Sequence, residues 1–267
     1  MGAISEVRIP FGNRDLHAAL ALPVVVAAGR VRSAAGVAAA SDVPSRRLPA
    51  VIVIHELFGL NDDIRAIASR FADEGYVAVA PDLLGDLGPQ PVCIVRFARG
   101  LNRVGVGRPY RQLDAIRDWL GALPEVDRGR IGVAGFCIGG GLALLYAATA
   151  DDIAVVAPFY APVPADAEER LARVCPVVAS YGRRDRVFGS MAARLEAALT
   201  AAGIDHDVKS YPAAGHSFMN RHARLTTWLG ARSPMRAAYE PEAAEDAWRR
   251  VVAFFGRYLA PPESPPA

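Results

Sequence analysis

Residues 131–148 read IGVAGFCIGGGLALLYAA: an apolar run, a bend marked by glycines, then a second apolar run, with Cys137 at the bend. The first run suits a buried strand and the second a buried helix. A strand that turns straight into a helix forces the residue at the bend into strained dihedrals, and small neighbours such as Gly135 and Gly139 let adjacent backbones approach. The side chain at the bend is thereby thrust into the crevice beyond the sheet. The pattern G-x-nucleophile-x-G over residues 135–139, between strand and helix, is the layout of a nucleophile elbow. A thiol placed there faces the positive end of the following helix, which is expected to favour thiolate over thiol. The competing reading of Cys137 as one more small buried residue is outweighed by the agreement of the turn with its partners further along the chain.

On either side of this stretch, short apolar runs alternate with amphipathic segments. AVIVIH (50–55), YVAVAP (76–81), RIGVAGF (130–136), DIAVVAP (152–158), PVVASYG (176–182) and HDVKSYP (206–212) read as strands. Continuous apolar character suits parallel strands covered on both faces. Helices are predicted over 61–75, 110–123, 138–150, 190–203 and 242–259. Two alternating runs, SEVRIPF and LHAALALPV, flank the turn GNRD and predict an antiparallel hairpin at the start. The expected fold is α/β: a mostly parallel central sheet, the N-terminal antiparallel hairpin, and helices on both faces. Residues 1–260 are expected to form one domain, with 27–49 a surface excursion poor in large core residues and 261–267 a frayed tail.

In an open parallel sheet, chemistry collects just beyond the strand ends. Two strand ends after Cys137 supply what a cysteine nucleophile needs. Asp185 lies in the loop after PVVASYG, and His216 follows Gly215 after HDVKSYP. The chain order nucleophile, acid, histidine is that of the α/β-hydrolase fold. His216 is expected to exchange a proton with sulfur or leaving oxygen while Asp185 fixes its tautomer. An oxyanion hole is expected from the N–H of Ile138 and that of Leu57 in the loop HELFG. Glu56 in that loop is unusual, because a carboxylate beside the nucleophile opposes ionisation of a thiol unless it has a defined task; a solvent-facing acid is the competing reading. Phe58, Tyr160 and Phe188 are candidate pocket walls, with core packing as the alternative for each. His17, His206 and His222 receive no role.

Lys and Arg number 30 against 28 Asp and Glu, a net charge of 30 − 28 = +2, too small to indicate nucleic acid or a membrane surface as partner. The expected partner is a small molecule, and a monomer is the expectation. Three cysteines, Cys93, Cys137 and Cys175, with no paired spacing argue against a disulfide framework or a structural zinc site, and no metal or cofactor is expected. The chain begins without the layout of a signal peptide and holds no run of about 18 apolar residues, so a cytoplasmic location is expected.

Together, HELFGLNDDIRAIASRFADEGYVAVAPDLLG, GFCIGGG, GRRDRVFG and GHSFMN resemble the dienelactone hydrolase family over about residues 50–259. The resemblance implies Cys137, Asp185 and His216 as a catalytic triad, with Leu57 and Ile138 donating to the oxyanion. It assigns Glu56 to generating the thiolate when substrate arrives. Family members that act on dienelactone clamp its carboxylate with arginines, one shortly after the catalytic histidine. Here HSFMNRH has Asn220 there, with Arg221 displaced by one. A second clamp could come from Arg96, Arg99 or Arg103, among which spacing does not choose, and a basic solvated helix face is the stronger reading of each taken singly. The expected activity is opening of a small lactone or cleavage of a small ester. The alternatives are a general carboxylesterase or thioesterase without dienelactone activity, and a catalytically silent binding protein on the same fold.

Overall fold

The computed structural model describes residues 3–24, 47–85, 103–221 and 230–261. Cys93, Arg96, Arg99, His222, most of the stretch 27–49 and the tail beyond 261 lie outside them. The elements, in chain order, are β1 (Ala3–Phe11), β2 (Arg14–Leu22), β3 (Leu48–Ile54), α1 (Asp62–Asp73), β4 (Val77–Pro81), α2 (Arg108–Gly121) and β5 (Val126–Phe136). They continue as α3 (Ile138–Ala147), β6 (Val155–Phe159), α4 (Ala167–Arg170), β7 (Val177–Gly182), α5 (Met191–Ala201), β8 (His206–Tyr211) and α6 (Pro241–Tyr258). Leu48 and Pro49 therefore belong to β3 and not to the excursion.

The eight strands form one sheet in the order β1-β2-β4-β3-β5-β6-β7-β8. The hairpin β1–β2 joins β4 antiparallel, and every later pairing is parallel. Alternate residues of the central strands feed two cores. Ile52, Ile54, Val79, Ile131 and Val133 pack with Leu113 and Ile116 of α2, Leu142 and Leu144 of α3, and Leu195 and Leu199 of α5. Val51, Val53, Ala78, Ala134 and Val155 pack with Ile64 and Phe71 of α1 and with Trp248, Val251 and Phe255 of α6. Burial on both faces is what made these strands continuously apolar.

The chain leaves β3 toward β4 on one side and reaches β5 on the other, so the order reverses at β3 and a crevice opens beyond the ends of β3 and β5. The parallel register pairs Ile54 with Gly135. Two residues further along each strand stand Glu56 and Cys137. The next register, Phe136 with Phe159, sets Tyr160 beside Cys137 on the other side.

α3 is pressed against this crevice by its glycines. A Cβ on Gly139 would run into the carbonyl oxygens of His55 and Ile54, and one on Gly135 into the carbonyl of Gly139. The absence of side chains here lets the helix start directly behind the strand end. Replacing Gly139 by Ala should lower the free energy of unfolding by about 3 kcal/mol, read as a shift in the urea midpoint, because backbone carbonyls cannot swing aside as flexible side chains can.

Candidate active site

Cys137 caps the N-terminus of α3 with φ 54° and ψ −123°, a strained left-handed conformation for a residue with a Cβ. Backbone hydrogen bonds hold it there: its N–H donates to Phe159 O at 3.0 Å, and its carbonyl accepts from Gly140 N–H at 2.9 Å. Tyr160 and Ser217 also have positive φ, 39° and 53°.

Asp185 is pinned by the loop that carries it. One carboxylate oxygen accepts from the N–H groups of Val187 and Phe188 at 2.8 and 3.0 Å. The other meets His216 Nδ1 at 2.7 Å, in a pair with both side chains almost wholly buried. The carboxylate can only accept from the ring, so Nδ1 carries a proton there. Nε2 is buried and has no hydrogen-bond partner among the described residues. The imidazole is held between aromatic rings, with Tyr160 at 4.8 Å and Phe188 at 5.1 Å between centroids. Its backbone is tied on both sides, His216 N–H to Met235 O at 2.8 Å and Ala238 N–H to His216 O at 3.2 Å.

Glu56 is 3% exposed, so it is no solvent-facing acid. Its Oε1 accepts from Ser217 Oγ at 2.9 Å, which links the β3 loop to the residue following His216. Tyr160 faces the same carboxylate without reaching hydrogen-bond geometry; burial first, then the charge of Glu56, pushes its phenol well above the usual tyrosine range.

The expected preference for thiolate is overturned in the resting site. The Cys137 thiol is pushed up to about 12, chiefly by burial, then by the charge of Glu56, with a smaller push from Asp185. The Ile138 N–H donates toward the sulfur and opposes this shift, but it does not prevail. Helix-end stabilisation of a thiolate is worth about 1 kcal/mol, less than the cost of removing an anion from water beside another anion. Cys175 is likewise raised to about 12 by burial.

Two contributors carry no signal of their own in the amino-acid sequence. His55, 1% exposed, bridges two strand ends: Nδ1 donates to Glu56 O at 2.6 Å and Nε2 accepts from Leu83 N–H at 3.0 Å. Burial holds its pKa below the ordinary value, which suits the neutral ring that this pair of bonds requires. Ser217 is the other. Both stand next to a more conspicuous residue, inside HELFG and GHSFMN, and only that adjacency could have pointed to them.

Leu57 and Ile138 are half-buried at the two sides of the crevice, and Phe58 stands out at its rim, 52% exposed. Asn220 is 1% exposed on the turn after His216. Arg221 turns outward, its guanidinium stacked over Tyr239 at 4.4 Å and donating to the Tyr239 hydroxyl at 3.0 Å. Arg103 is exposed. Among the described residues no group of three or more His, Cys, Asp and Glu is arranged to hold a metal ion, and no helix is long and apolar enough to cross a membrane.

Comparison with known proteins places this chain among relatives. The model of the dienelactone hydrolase family matches residues 34–259. A Synechocystis sp. protein named "Putative carboxymethylenebutenolidase" is 30% identical over 238 residues, covering 81% of this chain and 89% of its own. A Methylorubrum extorquens protein of the same name is 28% identical over 223 residues, 79% of this chain and 72% of its own. The crystal structure of a Klebsiella pneumoniae protein named "Putative Dienelactone Hydrolase" superposes with a TM-score of 0.73 at 26% identity, covering 97% of this chain and all of its own.

The raised thiol sets the reactivity expected without substrate. Below about 12 the thiolate fraction grows tenfold per pH unit, so alkylation of Cys137 by iodoacetamide should climb from pH 7 to pH 10 without a plateau. Glu56→Gln removes one of the charges that raise the thiol, and alkylation at pH 8 should then speed up several-fold. Mass spectrometry of the labelled peptides follows Cys137 separately from Cys93 and Cys175.

Proposed function

Because the chain belongs to the dienelactone hydrolase family, we propose that it opens a small lactone or cleaves a small ester with Cys137 as nucleophile, His216 as base and Asp185 as the acid that orients it. The observation that carries this reading is the buried His216–Asp185 pair, which engages Nδ1 and leaves Nε2 without a hydrogen-bond partner among the described residues, together with the elbow that carries Cys137.

In this reading the sulfur attacks the carbonyl carbon as its proton passes to Nε2 of His216. The oxyanion is received by the N–H groups of Leu57 and Ile138, and removing one such donor costs about 3 kcal/mol of transition-state stabilisation. Collapse breaks the bond to the leaving oxygen, which takes the proton from Nε2; in a lactone that oxygen stays tethered to the acyl group. Water then gives a proton to Nε2 and attacks the thioester. The acid product leaves, and the sulfur recovers its proton from the imidazole. Asp185 stays ionised throughout and stabilises the transient imidazolium.

Glu56 assists ionisation of the sulfur when substrate arrives, as the family resemblance implies. The hydrogen bond from Ser217 is the contact this carboxylate would exchange in doing so. A resting thiol protects the nucleophile from adventitious alkylation and oxidation, because the thiolate is the reactive form. The relatives' name is built on a butenolide, an unsaturated lactone, and this supports a lactone over an open-chain ester.

Initial rates with p-nitrophenyl acetate and with a simple γ-lactone, followed by pH-stat, test the assignment. Cys137→Ala should reduce both to background and Cys137→Ser should retain a small residue. Asp185→Asn, which permits the wrong tautomer of His216, should lower kcat by at least about a hundredfold with little change in fold. Unchanged rates in both cysteine variants would favour a silent binding protein.

A further inference from the structure

The turn after His216 lies along the loop after β3 and the start of α1, and hydrogen bonds tie this seam at two points. Ser217 Oγ donates to Glu56 Oε1 at one end, and Arg221 N–H donates to Asp63 Oδ1 at 3.1 Å at the other. Asn220 falls between them, its own N–H donating to Ser217 O at 3.0 Å to close the turn. Asn220 is 1% exposed, and neither its amide oxygen nor its amide nitrogen has a hydrogen-bond partner among the described residues. A primary amide offers two donors and an acceptor with two lone pairs. Burying such a group unmatched costs about 1–3 kcal/mol, so a chain that merely needed to fill this space would be better served by leucine.

The electrostatics of the seam select what can match that amide. Glu56 is already buried there, and Asp185 is buried across the site, 3% exposed in each case. The neighbouring cation, Arg221, is turned away onto Tyr239. A second carboxylate brought beside Asn220 would be desolvated next to Glu56, with an uncharged amide as its host. A hydroxyl group meets no such opposition: it can accept from the amide N–H2 and donate to the amide oxygen at once.

Resting on the hydrolase reading above, we infer that Asn220 determines substrate specificity: the seam recognises a neutral oxygen-bearing group, above all a hydroxyl, on the acyl portion of the substrate, in preference to a carboxylate. The amide is a binding group and takes no part in bond making.

Three γ-butyrolactones that differ only in the substituent on the γ carbon, methyl, hydroxymethyl or carboxylate, test this by pH-stat, with p-nitrophenyl acetate as a substrate that makes no demand on the seam. The wild-type enzyme should open the hydroxymethyl lactone about tenfold more efficiently in kcat/KM than the methyl lactone, and the carboxylate lactone at least about tenfold less efficiently. Asn220→Leu, close in shape, should bring the hydroxymethyl-to-methyl ratio to within about twofold of one. Asn220→Asp should depress the carboxylate lactone further relative to methyl. Wild-type preference for the carboxylate lactone, or an unranked set, overturns the inference even if both variants fail to fold. So does a hydroxymethyl-to-methyl ratio that survives in folded Asn220→Leu. If p-nitrophenyl acetate turns over in each of these cases, the hydrolase reading stands without the specificity claim; if neither it nor any lactone reacts, both fall.

Discussion

The start of α3 lies so close to the end of β3 that no side chain fits between them. Gly139 rests on the carbonyls of Ile54 and His55, and from that contact the rest of the site takes its dimensions. It brings the elbow hard against the loop that carries Glu56 and Leu57, so that sulfur, carboxylate and two backbone donors share one end of the sheet. The strained dihedrals at Cys137 are tolerable because the strand before it and the helix after it are fixed by two separate cores. The glycines of residues 135–141 are thus a spacing device for this end of the sheet.

The electrostatic result is a protonated thiol at the elbow. Burial and the carboxylate of Glu56 outweigh the one backbone donor aimed at the sulfur. The same carboxylate accepts a hydrogen bond from Ser217 and is faced by Tyr160, so side chains from three strand ends meet around Glu56. The His216–Asp185 pair is set differently: one Asp185 oxygen accepts from its own loop and the other meets His216 Nδ1, while Nε2 has no hydrogen-bond partner among the described residues.

Much of this was legible in the amino-acid sequence because the strands are buried on both faces and their ends are abrupt. The apolar runs that became β3 to β7 stand out for that reason, and the residues that matter come directly after them. The start of β5 was not visible: after Val126 come Asp127, Arg128 and Gly129, which stand partly or fully exposed, so only the part from Arg130 could be read. The pairing of Asp185 with His216 follows from chain order and fold. The protonation of Cys137 could not, since the helix-end argument is local whereas desolvation depends on which distant segments close over the sulfur. His55 and Ser217 escaped notice because they act through a backbone carbonyl and a neighbouring carboxylate, contacts that no spacing rule encodes.

His55 has a further consequence for acid conditions. Its Nε2 must stay unprotonated to receive the Leu83 N–H, and burial holds its pKa below that of a free imidazole. In the unfolded chain the same ring takes up a proton near pH 6.5. The unfolded state therefore binds more protons as pH falls below that point, and the folding free energy drains away until the folded ring titrates as well. Acidification is thus met by a thinner thermodynamic margin for the framework that His55 ties together around Glu56.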